Sequence, residues 1–382
     1  MRPLHGVRVV ELAHVAAGPF AGMLLADLGA DVVKVEPPSG DQMRAWPPFA
    51  SDGEERFSHN FASVNRNKRS VVADLKDPDD LQRVRDLVDA ADVVVENYRP
   101  GVLDRLGLGY DEVSAGHAGL VYCSISGYGL TSPHVRDGAY DVVVQGMAGL
   151  MSVTGEPDGG PVKAGVPVGD FTAGLYAAYT IAALLPQVRG SGASVWVDCP
   201  MLDCLLGVSA LQTSEYWGSG QEPRRLGTAH PRNAPYQGFA AADADFTIAA
   251  GNDRLWAAVA EVVGAPELAD DPRFATQVAR VRHQRELAAL LAERFAGEKR
   301  EHWLVELRAR GVPCGPVQTF GEVLASPHVE ATGLVAPLDV PVAGPTPTVV
   351  FPVRIEGQDA RLDRGAPVLG ADTDVYDEWV RA

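Results

Sequence analysis

The stretch VGDFTAGLYAAYTIAALL, residues 168–185, carries one charged side chain, Asp170, at the head of a run that is otherwise apolar, small or hydroxylic. Two roles suit such a carboxylate. As a helix N-cap it accepts hydrogen bonds from the unpaired N–H groups of the first turn. As a nucleophile or base it uses the same donors and the helix dipole to stay ionised away from water. The run from Phe171 to Leu185 has no polar face, so the helix is expected to be buried on every side, and its start with it. On this stretch alone both roles stay open.

Other side chains gather at the ends of short β-branched runs. VRVVEL (7–12) opens into HVAAGPFAG, which puts His14 at the carboxyl end of a strand, where open α/β sheets bind ligands. NRNKRS (65–70) sets Arg66, Lys68 and Arg69 just ahead of another strand, a pattern that suits either a solvated face or an anion site. ENYRPGVLDRLGLGY (96–110) places Asn97, Tyr98 and Arg99 after a buried-type strand and Arg105 on a short helix. An amide, an aromatic face and guanidinium groups are what a phosphorylated nucleotide needs. The GxGxxG, GxxxxGK[ST] and GxSxG patterns are absent, which removes the usual dinucleotide, phosphate-loop and serine-hydrolase signals.

Strands to carry these residues recur along the first half: VRVVEL, DVVKVE (31–36), SVVADL (70–75), DVVVENY (92–98), LVYCSIS (120–126) and SVWVD (194–198). Helical patterns lie between several of them, which implies a parallel α/β sheet. Residues 1–218 read as one large domain and the Gly-, Pro- and Arg-rich 219–238 as a linker. Residues 239–315 read as a smaller, mostly helical unit, and 316–382 as a Pro-rich extended tail. With Lys+Arg 33 against Asp+Glu 50, the net charge of −17 opposes nucleic-acid or anionic-membrane binding, so an anionic ligand must find a local basic pocket. Four cysteines without CxxC spacing are too few for a disulfide framework or a metal site. No apolar segment reaches about twenty residues free of charge and no secretory signal opens the chain, so a soluble cytoplasmic protein is expected.

The segments LHGVRVVELAHVAAGPFAGMLLADLGADVVKVEPPSGDQMR, NRNKRSVVADLK, DVVVENYRPGVLDRLGL, YDVVVQGMAGLMSVTG and the GD of VGDFTAG resemble, in order, the class III coenzyme A transferase family. That family includes formyl-CoA:oxalate and carnitine CoA-transferases, with the α-methylacyl-CoA racemases as near relatives. The resemblance implies a Rossmann-like large domain with a parallel sheet, completed by the chain's C-terminal end, plus a smaller α+β domain, in an interlocked homodimer. It makes Asp170 the catalytic nucleophile. His14, Lys68, Asn97, Tyr98, Arg105 and Tyr140 become CoA-binding positions. Coenzyme A and acyl-CoA enter as substrates, with no permanently bound cofactor and no metal, and a carboxylic acid is the acceptor.

Departures from the family pattern bear on the reaction. The racemases carry a histidine directly before the aspartate of the segment that here reads GAYDVVVQ, whereas this chain has Tyr140 before Asp141. They also carry a glutamate after a PYxG-like segment, where PYQGFAAAD offers alanines. Two-base epimerisation needs both a proton donor and an acceptor, so the racemase is the alternative and CoA transfer the expectation, with a non-catalytic CoA-binding protein third. The glycine run of formyl-CoA transferase is replaced by LGTAHPRNAPYQG, closer to transferases of dicarboxylic acids. By that resemblance succinyl-CoA or another dicarboxylyl-CoA is the expected donor, formate and oxalate are disfavoured, and His230 and Arg232 are nominated to hold an acceptor's second carboxylate.

Overall fold

The computed structural model describes residues 2–51, 55–342, 344–357 and 362–381. They form two compact units, one of residues 1–151, 163–221 and 328–382, the other of residues 152–162 and 222–327.

In the first unit the strands up to residue 200 are β1 (Arg8–Leu12), β2 (Asp31–Glu36), β3 (Phe49–Ser51), β4 (Arg56–Ser58), β5 (Lys68–Val72), β6 (Val93–Glu96), β7 (Val121–Ser126) and β8 (Val195–Pro200). The helices up to residue 219 are α1 (Ala17–Asp27), α2 (His59–Asn65), α3 (Pro78–Asp89), α4 (Val102–Arg105), α5 (Tyr110–Ser114), α6 (Asp141–Met147), α7 (Leu150–Val153), α8 (Val168–Ser191), α9 (Met201–Val208) and α10 (Ala210–Ser219). Among the described residues, six strands form one sheet in the order β5-β2-β1-β6-β7-β8, every pair parallel. This is the order of doubly wound nucleotide-binding folds, whose ligands sit where the winding reverses, here between the carboxyl ends of β1 and β6.

Helices cover both faces, which is why the strands read as unbroken Val-rich runs rather than alternating ones. Val9, Val93 and Val121 pack with α1, α8 and α9 on one face. Val10, Val94 and Tyr122 pack with α3, α5 and the C-terminal Val375 and Trp379 on the other. The helix α8 is long and apolar enough to cross a bilayer by length and composition. Its sequence leads to the expectation of burial on every side, and the structure corrects this. Ala173, Gly174, Ala177, Ile181 and Leu185 face the core, while Leu175 and Tyr179 are 54% and 73% exposed. Its approach to α1 depends on Gly174, where a Cβ would sit 2.8 Å from Ala17 O and 2.9 Å from Phe20 Cδ1.

Under α1 the sheet buries charge. Glu11, fully buried on β1, pairs with Lys34 Nζ at 3.0 Å and Lys68 Nζ at 2.8 Å. The room for that carboxylate comes from Gly22 of α1, because a Cβ there would overlap Glu11 Oε2.

The second unit is an antiparallel sheet of β9 (Tyr236–Ala240), β10 (Asp245–Ala249) and β11 (Cys314–Pro316), in the order β11-β10-β9. Phe239, Phe246, Trp256, Leu291, Phe295 and Trp303 form its core, contributed by the sheet and by α11 (Asp253–Val262), α12 (Gln277–Arg282), α13 (Gln284–Phe295) and α14 (Arg300–Ala309). The chain from 328 onward belongs to the first unit. There the hairpin β12 (Val335–Val340) and β13 (Gly344–Val349) sends Leu338 and Val340 against Met43 and Phe61, and Trp379 Nε1 donates to Asp31 Oδ2 at 3.0 Å.

A methyl group at residue 22 must displace Glu11 from two buried ammonium groups, and breaking a buried pair costs about 3–5 kcal/mol. Gly22→Ala is therefore expected to lower the urea-unfolding midpoint by an amount equivalent to about 3 kcal/mol. Gly190→Ala, whose new Cβ meets nothing within 4 Å, is expected to leave the midpoint unchanged or slightly raised. Equal midpoints for the two variants would show that Glu11 is not confined by α1.

Candidate active site

The carboxyl ends of β1 and β6 open onto a cavity of about 230 Å³ in the first unit, with His14, Asn97, Tyr98, Tyr140 and Asp170 all in its lining. Five residues singled out in the sequence thus converge, although they lie as far apart as 14 and 170 in the chain. The remaining wall comes from Val15–Ala17, Arg99 and Pro100, the loop after β7 at Ser126–Gly129, the Val135 and Asp137–Ala139 segment, and Met201.

Asp170 is not the N-cap. Pro167 holds that position, and Asp170 is the third residue of α8. Proline with its fixed φ starts the helix upstream of the aspartate. The consequence is chemical: among the described residues no hydrogen bond is made to the Asp170 carboxylate, which is half-buried and lines the cavity. Burial, with Asp141 adding, pushes its carboxyl up to about 6. Asp141 begins α6 and ties it to α8. Its Oδ1 accepts from Gly169 N at 2.8 Å, and its Oδ2 accepts from Gln145 Nε2 at 2.6 Å. A second carboxylate is thus locked beside the first, and Tyr140, the N-cap of α6, stands 71% exposed at the mouth.

Across the winding reversal, Asn97 is fully engaged by the backbone of His14. Its Oδ1 accepts from His14 N and its Nδ2 donates to His14 O, both at 2.8 Å. The amide therefore ties β6 to β1 rather than presenting free groups to a ligand. The His14 ring lies edge-on to Tyr98 at 5.0 Å. Burial, then Lys34, holds the imidazole below its usual value, so it is neutral at pH 7.

Lys68 is a correction. It is fully buried, with its ammonium bound to Glu11 Oε2, Pro19 O and Asn65 Oδ1 at 2.7–2.8 Å, so it cannot contact a nucleotide from that position. Burial outweighs Glu11 and brings it down to about 8. Arg105 is exposed on α4 and lies outside the cavity lining. The neighbouring Arg99, which sequence reasoning named but did not select, lines this cavity and a second one of about 150 Å³. That second cavity also has Glu96, Tyr110, Tyr122 and Trp196 in its walls. Burial pushes Glu96 up to about 7. His230 and Arg232 belong to the second unit, where the His230 ring stacks on Tyr236 at 4.8 Å and its Nδ1 accepts from Arg232 N at 3.1 Å.

Because folding raises the Asp170 carboxyl, ionising it opposes stability. The cost is absent below the ordinary value near pH 4, grows through the interval up to about 6, and is complete above it. At 1.36 kcal/mol per unit, discounted for partial exposure, it is on the order of 2 kcal/mol. Asp170→Asn is expected to melt above the wild type at pH 7.5, with the gap closing as pH falls to about 4.5. A gap independent of pH would show that the Asp170 charge is not strained.

The comparisons with known proteins agree with this architecture. Residues 4–373 match the pattern of the family described as CoA-transferase family III. The chain is 42% identical over 372 residues to a succinate–glutarate CoA-transferase of Agrobacterium fabrum, covering 96% of this chain and 93% of that protein. It is 39% identical to the human succinyl-CoA:glutarate CoA-transferase, over 98% of this chain and 85% of that one. A solved structure, described as a CaiB/BaiF family protein from Brucella suis, superposes with a TM-score of 0.88 at 42% identity over 99% of both chains. A parallel sheet with its reversal point at the cavity and a match spanning almost the whole chain lead to one conclusion: this protein belongs to CoA-transferase family III.

Proposed function

We propose that the protein moves CoA from succinyl-CoA to a dicarboxylic acid of the glutarate type, with Asp170 as the covalent nucleophile. The observation that carries the mechanism is the unbonded Asp170 carboxylate facing the cavity at the sheet's reversal point. The substrate class rests on the named relatives.

In the proposed sequence, an Asp170 oxygen attacks the donor thioester carbonyl, forming a mixed anhydride as CoA leaves as thiolate. The thiolate attacks the Asp170 carbonyl, giving an aspartyl-CoA thioester and releasing the donor acid. The acceptor carboxylate then attacks that thioester, and the freed thiolate takes the acceptor's acyl group, which regenerates Asp170. Covalent catalysis divides a difficult exchange into easier steps. Anhydride and thioester both hydrolyse, so the half-buried setting of Asp170 serves to limit water. Its lowered acidity makes the carboxylate more basic and a better nucleophile than an ordinary aspartate, yet it remains ionised at pH 7.

Around it, His14 and Tyr98 are proposed to meet the CoA chain, with Arg99 and Arg105 taking its phosphates. His230 and Arg232 are proposed to hold the acceptor's second carboxylate. A homodimer in a cytoplasmic setting completes the proposal. It is supported by the exposed apolar residues Leu175, Tyr179, Leu211 and Trp217 of α8 and α10, which a second copy would cover.

The test is intact-mass analysis after incubation with succinyl-CoA and a panel of acids including glutarate and oxalate, with hydroxylamine trapping. An adduct mapping to Asp170 is expected in the wild type and none in Asp170→Ala, which should lose at least 10⁴-fold in exchange rate while still binding CoA, as expected for loss of a covalent nucleophile. Exchange should also fall about tenfold per pH unit below about 6 as Asp170 protonates. Exchange of a substrate α-proton with no Asp170 adduct would replace this reading with epimerisation.

A further inference from the structure

Side chains hold four consecutive backbone polar atoms of the turn that leaves β1. Lys34 Nζ donates to Ala13 O at 2.7 Å, and Asn97 holds both polar groups of His14. Val15 N–H donates to the Asp41 carboxylate, 3.1 Å from Oδ2 and 3.3 Å from Oδ1. Val15 has a φ of 65°, a left-handed backbone that a β-branched residue adopts only when its surroundings force it. Its side chain packs against the buried apolar cluster that contains Met43 and Phe61, which holds the residue from the other side.

Nothing about ending a strand requires this conformation. Strained, over-determined backbone collects where a site needs a fixed geometry. Here His14, Val15, Ala16 and Ala17 are consecutive in the cavity lining that also contains Asp170. Asp41 lies behind that wall, 1% exposed, and touches no part of the cavity. Its carboxylate is fixed by Lys34 Nζ at 2.9 Å and Met43 N at 2.9 Å, so it is a rigid acceptor for Val15.

We propose that Asp41 is a positioning residue, which holds Val15 in its left-handed conformation and thereby sets the His14–Ala17 wall of the cavity for the CoA thioester. This rests on the CoA-binding reading above. Asp41 acts through backbone only and contacts no substrate.

The test compares Asp41→Asn with Asp27→Asn in the full chain. Asp27 is a buried carboxylate of the same unit, engaged with Arg66 and Asn67 and away from the turn, so it controls for the loss of a buried ion pair. Calorimetric binding of CoA and hydrogen exchange of a peptide covering residues 13–20 are read in each. Both variants should melt lower. Only Asp41→Asn should weaken CoA binding about tenfold and speed exchange in that peptide.

Placed in a Val15→Gly background, where glycine adopts the left-handed backbone without an anchor, the same Asp41→Asn change should cost less than threefold. If Asp41→Asn does not fold, Asp41→Glu takes its place with the same expectations, since it keeps the charge but shifts the oxygens by a methylene. The proposal is overturned if CoA affinity stays within twofold of wild type, if Asp27→Asn weakens it equally, or if the loss is undiminished beside Gly at residue 15. A wild type that binds no CoA sinks the functional reading instead, and peptide exchange alone then decides whether Asp41 holds the turn.

Discussion

One buried carboxylate organises the ligand-binding edge of the sheet. Glu11 on the central strand is shared by Lys34 from one neighbouring strand and Lys68 from the next but one. Three charges in a region without water are tolerable only if each is paired and every remaining proton finds an acceptor. Lys34 meets that condition through Asp41 and Ala13 O, and Lys68 through Pro19 O and Asn65. Those acceptors lie on the β1–α1 turn, on the segment after β2, on α1 and on α2, so satisfying the ammonium groups also fixes these elements relative to the sheet. Register among β1, β2 and β5 and the geometry of the turn are therefore set by the same few atoms.

The second constraint works against stability. Asp170 sits in the first turn of an apolar helix, where the dipole favours its negative charge, yet among the described residues no donor reaches its oxygens, and Asp141 repels it. Had the helix begun at Asp170, the carboxylate would have been spent on capping its own amides. Pro167 moves the start upstream, and Asp141 takes over the amide of Gly169. One aspartate performs the structural task so that the other keeps free lone pairs. The apparent redundancy of two acids in contact is a division of labour between them.

Much of this was legible in the chain, for reasons that differ by residue. The six strands were recognisable because burial on both faces demands continuous β-branched runs, and His14 because a ligand site belongs at the end of the first of them. The resemblance implied a Rossmann-like parallel sheet, but the order of its strands is not legible in the strands themselves. Lys68 was misjudged since NRNKRS resembles a solvated or anion-binding cluster. Its partner Glu11 is 57 positions away in VRVVEL, and nothing local reveals that a charge in a Val-rich strand must recruit a cation. The left-handed backbone of Val15 was equally hidden, because no glycine or asparagine marks it. The exposed side of α8 escaped notice because an exposed apolar surface has the same composition as one in a core.

Electrostatic bookkeeping narrows how an acidic protein can hold an anion as highly charged as coenzyme A. Near the cavity most cations are already committed: Lys34 and Lys68 to Glu11, Arg44 to Glu36 and Arg66 to Asp27. Among the described residues of the 96–110 segment, Arg99 and Arg105 make no ion pair and are exposed. An exposed guanidinium retains its hydration until a phosphate arrives and binds it in bidentate fashion, which favours reversible capture over tight storage. For an enzyme that must release one acyl-CoA for each it accepts, one exposed arginine in the cavity lining, a second on α4 and a neutral imidazole inside suit turnover better than a deeply basic pocket. The net charge of −17 then opposes indiscriminate anion binding, while the cavity that holds Asp170 keeps Arg99 in its lining.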